Sequence, residues 1–131
     1  IESATVRLAT KNITHEEIEK LKALLRKKEE NFKKSLSNAQ VDIEFHTTIA
    51  EASRNEVLKL LYQIISKLGQ QSELFEYMRK KTGGAYITTH NQILEAIVRE
   101  DENEAEKAII EHMDTLKKDV KMYYDHVVVH E

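Results

Sequence analysis

Not one of the 131 residues is proline, and two of the three glycines stand side by side at Gly83-Gly84. Proline removes a backbone donor and glycine costs the most backbone entropy, so a chain nearly free of both can run as helix for most of its length. Apolar residues recur at steps of three and four almost everywhere, and strict alternation is confined to a few residues. The pattern predicts an all-α fold. Helix starts are marked by side chains spaced to accept orphan backbone N–H groups: Thr14 with Glu17, Ser37 with Gln40, Thr89 with Gln92, Asp101 with Glu104, and either Ser53 with Glu56 or Asn55 alone. They delimit six predicted segments, roughly 2–10, 15–34, 38–52, 56–81, 86–100 and 102–126. Short connections make consecutive helices antiparallel neighbours, so the expected architecture is an antiparallel bundle of about six helices.

With 40 % hydrophobic residues the chain can bury one core, and its length fits a single domain. The absence of cysteine excludes disulfide scaffolds, zinc–thiolate sites and thiol nucleophiles. Twenty basic residues against 23 acidic ones give a net charge of −3, with no surplus to neutralise nucleic-acid phosphates. The opening Ile1-Glu2-Ser3-Ala4 has no initiator Met and no signal-peptide pattern, which leads to the expectation of a cytoplasmic C-terminal piece of a longer protein. Ile18, Leu21, Leu24, Leu25 and Phe32 form one apolar stripe; Leu58, Leu61, Ile64, Ile65 and Leu68 form a broader one that would make the fourth helix central. Gly83-Gly84, after the basic Arg79-Lys80-Lys81, marks a break before the fifth helix. The Lys/Glu runs at 26–34 and 100–107 read as solvated faces.

Four residues carry the chemistry. Asp42 and His46 lie four apart in a helical stretch, so both project from one face and can share an ion. His90 and His112 each lie eleven residues from Asp101, the centre of the last connection. In an antiparallel hairpin such residues sit level, roughly 16 Å below the turn at about 1.5 Å per residue. His90 shares its helical phase with Ile93 and Ile97, and His112 shares its phase with Ala105 and Ile109, so both point toward the core. A lone histidine on a core stripe is ordinarily a hydrogen-bonded core residue. Four such groups in one small bundle would each need a buried partner, and a shared metal ion supplies one.

The run from Val41 to Asn55 resembles the D-x-x-F-H-x-x-[LI]-x-x-A-[ST]-x-N signature of the FCD domain, the C-terminal effector domain of FadR-like regulators in the GntR family. His90 to Ile97, followed by Asp101, Ala105 and His112, is similar to that family's second histidine segment, and Ile1-Glu2 through Arg7-Leu8-Ala9 to its first helix. The resemblance implies a bundle of six or seven helices, six pointing to the shorter, VanR-like branch. It implies metal ligation by Asp42, His46, His90 and His112, a small carboxylate effector, a homodimer, and a winged-helix DNA-binding domain that precedes this region and is absent from this chain. Thr89 stands where the family commonly has Glu, and Ile1 where Leu is usual.

One carboxylate and three imidazoles make an N/O site suited to a divalent transition metal such as zinc, with nickel, manganese, cobalt or iron also compatible. Tyr86, four residues before His90, shares its face and is a candidate ligand-binding residue, in competition with a packed-core role. Arg7 is a second candidate, because the family's first-helix arginine often meets the effector. His15, His126 and His130 read as exposed or terminal. The expectation is an effector-sensing module of a transcription regulator, not an enzyme. A metal-dependent hydrolase is the alternative, and it lacks a clear general base near the four residues. Because the apolar stripes do not depend on an ion, chelated protein should keep its helical circular-dichroism signal; loss of that signal would show that the metal is needed for folding.

Overall fold

The computed structural model describes residues 2–36, 38–70 and 85–130. Among them the helices are α1 (Glu2–Asn12), α2 (His15–Lys33), α3 (Ala39–Ala52), α4 (Glu56–Gln70), α5 (Ala85–Val98) and α6 (Glu102–His130), with no strand. The all-α bundle read from the periodicity is the observed fold. The distal part of the 56–81 segment, the 79–81 basic stretch and the Gly83-Gly84 break lie outside the described residues, as does Ser37.

Three of the six described starts follow from capping side chains. Thr14 and Glu17 close a reciprocal box, with Glu17 N–H donating to Thr14 Oγ1 at 3.2 Å and Thr14 N–H to Glu17 Oε1 at 3.0 Å. Asn55 Oδ1 accepts from the amides of Val57 and Leu58, and Asp101 Oδ1 accepts from Glu104 N–H at 3.0 Å. Ser53 does not cap α4. Its hydroxyl is buried and donates to Ala50 O at 2.6 Å. Thr89 does not start α5 either, because that helix begins at Ala85 and Thr89 lies inside it.

The stops use a different device. Ser35, Arg54 and Glu100 take φ values of 58°, 59° and 58° in the left-handed region where glycine is ordinarily found. After α5, Glu100 N–H bonds Ile97 O and Asp101 N–H bonds Ala96 O. This closure turns the chain tightly into α6, which sets His90 and His112 level.

The core joins Val6 and Ala9 of α1, Leu21 and Leu25 of α2, Phe45 and Ile49 of α3, Ile93 and Ile97 of α5, and Ala105 and Ile109 of α6. Ala9 and Ala105 are fully buried, and such small side chains let α1 and α6 approach closely. Helix α1 packs on α3, α5 and α6, while α2 packs on α3 and α5. Helix α4 is not central, contrary to expectation. It packs chiefly on α3, and Val57, Leu60 and Ile64 on it are 67, 58 and 50 % exposed. A strong apolar stripe shows that a helix has a face to bury; it does not say against what.

The α2 stripe also departs from its reading. Phe32 is half exposed, whereas Lys28 is buried in line with Leu21, Leu24 and Leu25, so the 26–34 run is not a uniformly solvated face. No described helix is long and apolar enough to cross a membrane. Since a non-glycine residue in the left-handed region costs about 1 kcal/mol or more, Glu100→Gly should raise the thermal midpoint by a few degrees. A fall in midpoint would show that the Glu100 side chain outweighs the backbone cost.

Candidate metal centre

Each of the three imidazoles arrives on its own helix. His46 follows Asp42 by one turn on α3, His90 lies in the second turn of α5, and His112 lies along α6. His46 Nε2 is 3.2 Å from His90 Nε2. Ring centroids are 5.0 Å apart for His46 and His90, 5.5 Å for His46 and His112, and 4.6 Å for His90 and His112. One nitrogen from each ring lies within 4.8 Å of the others. His90 and His112 are buried and His46 is partly so. Phe45 packs on His90 from one side, with centroids 4.7 Å apart, and Tyr62 of α4 stacks on His46 at 5.6 Å.

Burial decides the charge state of this cluster. It holds His46 down to about 3 and His112 down to about 4, with the Lys28 charge adding to the effect on both. His90 is pushed well below the ordinary histidine range, first by burial and then by His46 and Lys28. The imidazoles are therefore neutral at pH 7, which is the form that ligates metal.

Asp42 sits beside this group. Its Oδ1 is 3.8 Å from His90 Nδ1 and accepts from Lys28 Nζ at 2.5 Å. Lys28 Nζ is also 2.9 Å from His90 Nδ1. Burial lowers the Lys28 ammonium from its ordinary range, and Asp42 opposes that shift. Burial pushes both the Glu2 carboxyl of α1 and the Tyr62 hydroxyl upward. Among the described residues, every buried side-chain nitrogen and oxygen has a partner.

The donor set suits a divalent ion. Two imidazole nitrogens bound at about 2.0–2.1 Å to one ion lie roughly 3–3.4 Å apart, and the His46–His90 separation falls within that range. Three His could thus form a metal site, with Asp42 the adjacent carboxylate.

A family model described as the FCD domain matches residues 1–115. The chain belongs to the FCD-domain family. It is 27 % identical over 128 residues to the "Uxu operon regulator" of Haemophilus influenzae, covering 94 % of this chain and 47 % of that protein. It is 27 % identical over 124 residues to the "Exu regulon transcriptional regulator" of Escherichia coli, covering 89 % and 46 %. The chain thus spans about half the length of these curated relatives. The solved structure of "Streptococcus agalactiae GntR" superposes with a TM-score of 0.76 at 19 % identity, over 90 % of this chain and 53 % of that one, which shows a shared fold.

Within this FCD domain, the remaining candidates lie apart or undescribed. Arg7 is engaged by Asn103 at 3.1 Å and by Glu106 at 2.5 Å, where it ties α1 to the first turns of α6. Tyr86 belongs to α5, and its side chain lies outside the described residues. Residues that the sequence reading missed are Lys28, Tyr62 and Glu2. Lys28 had a signal: it stands seven residues after Leu21 and three after Leu25, in phase with the buried stripe. Tyr62 and Glu2 had none that separates them from ordinary surface positions.

The depressed histidines make stability depend on pH. Unfolded, these groups take up protons as pH falls through about 6.5, while the folded domain resists until about 4 for His112 and about 3 for His46. Stability is therefore greatest above the unfolded value and is lost as pH falls through that window, by up to about 1.4 kcal/mol per pH unit for each fully buried histidine. The chelated domain should melt at a clearly lower temperature at pH 5 than at pH 7. An unchanged midpoint would mean that the imidazoles are not held neutral by the fold.

Proposed function

We propose that this chain is the effector-sensing domain of a GntR-family transcription regulator, controlling a DNA-binding domain that lies elsewhere in the full protein. The observation that carries the reading is the convergence of His46, His90 and His112 from three helices, with Asp42 alongside. In this reading the four residues hold a divalent transition metal, zinc first and nickel, manganese, cobalt or iron as other candidates, which supplies a cation with positions open to an anionic ligand. The ligand is a small carboxylate. Arg7 is already committed to Glu106, so the centre itself is the anchor, with Tyr86 a candidate contact from the same helix as His90.

The domain's own residues then do the work of sensing. His46, His90 and His112 offer neutral nitrogens, and their helices transmit any rearrangement at the centre, because α5 and α6 pack on α1 and α3 packs on α1, α2 and α4. Ligand binding to one of two arrangements shifts the population toward it. A homodimer fits the same reading: the exposed Val57, Leu60 and Ile64 on α4 give a second copy an apolar face to cover. A cytoplasmic regulator follows from that role. The hydrolase alternative is not favoured, since the relatives are transcriptional regulators.

The test is a thermal-shift series with elemental analysis of the purified domain. A small carboxylate should raise the melting temperature of the metal-loaded domain, and chelation or His46→Ala should remove most of that increment. A shift of equal size with and without metal would refute metal-dependent sensing and move the anchor to an arginine or lysine.

A further inference from the structure

The bundle buries one charged group that the metal reading leaves without a task. Lys28 is 2 % exposed, and its Nζ lies 2.5 Å from Asp42 Oδ1 and 2.9 Å from His90 Nδ1. An ammonium has donors and no lone pair, so toward Nδ1 it can only donate. An imidazole that accepts at Nδ1 carries its own proton at Nε2. That is the His90 atom 3.2 Å from His46 Nε2. In this tautomer His90 donates to His46 and has no lone pair to offer an ion.

Ligating histidines ordinarily donate from their second nitrogen to a carboxylate or a carbonyl. At His90 an ammonium stands in that place, and it takes the Asp42 carboxylate as well. His90, which it touches, lies 5.0 Å from His46 and 4.6 Å from His112 by ring centroid, so the charge stands close to the whole cluster. A dication placed among the imidazoles meets that charge too.

We propose that Lys28 is a built-in competitor of the metal, its ammonium holding Asp42 and His90 in the metal-free domain and giving up both when an ion is taken. The inference rests on the metal reading above and adds to it a means of transmission. Lys28 belongs to α2 and bridges to α3 through Asp42 and to α5 through His90, so metal uptake releases α2 from two neighbours at once. By linkage, whatever steadies the Lys28 contacts weakens metal binding, and the converse holds equally.

The test compares zinc affinity, measured by competition with a chromophoric chelator, for the wild-type chain and for Lys28→Met, Lys28→Arg and His46→Ala. Lys28→Met keeps the apolar stem and removes the charge, and it should bind zinc about tenfold more tightly or better. Lys28→Arg keeps the charge and should bind no more tightly than wild type. Circular dichroism checks folding, and Lys28→Gln gives the same comparison should Lys28→Met not fold. Equal affinity in the neutral variant and wild type overturns the proposal, and weaker affinity overturns it by making Lys28 a support for Asp42. His46→Ala separates the two readings: if it loses zinc while Lys28→Met matches wild type, only the competitor role falls. If His46→Ala binds as wild type does, the metal reading falls and this inference with it.

Discussion

Desolvation of a small polar cluster is the constraint around which this bundle is arranged. Lys28, Asp42, His46, His90 and His112 meet where little water reaches, and each would cost several kcal/mol if buried as an unpaired charge. The arrangement resolves this by letting the three imidazoles stay neutral and confining formal charge to the Lys28–Asp42 pair. Asp42 keeps a third of its side chain exposed, so the carboxylate retains part of its hydration while the ammonium has almost none. The pair is therefore an asymmetric one, in which the buried cation depends on the anion more than the reverse.

Regular helix places every one of these groups, and none sits on a connecting loop. Helical side chains are held by packing on both sides, as His90 is by Phe45 and His46 by Tyr62. That gives the centre a fixed geometry of the kind a ligand-binding site needs. Exposed ion pairs elsewhere, such as Glu17 with Arg54 between α2 and the end of α3, contribute little by comparison because solvent screens them. Packing of Val6, Ala9, Phe45, Ile97 and Ile109 does the holding.

Contacts from the remaining helices link the centre to the rest of the domain. Lys28 brings in α2, Tyr62 brings in α4, and α1 packs on the three helices that carry the histidines. A change at the histidines thus has a physical route to all six described helices. These links arise from side chains whose roles are invisible until the helices are packed.

Periodicity and capping chemistry are local, and so the sequence by itself determined the helical class, the boundaries at Thr14, Asn55 and Asp101, and the level placement of His90 and His112 about the last turn. The Asp42–His46 spacing was legible for the same reason, since one helical turn fixes it. What each helical face meets is a non-local matter. The stripe on α4 announced a buried face, yet only the packing showed its Leu61 and Ile64 left exposed. The charge run at 26–34 read as solvated because lysine almost always is, and only the tertiary structure turned Lys28 inward, where Asp42 and His90 from two other helices stabilise its ammonium. Partner choice across distant segments depends on the summed packing of the whole bundle, which no window of sequence contains.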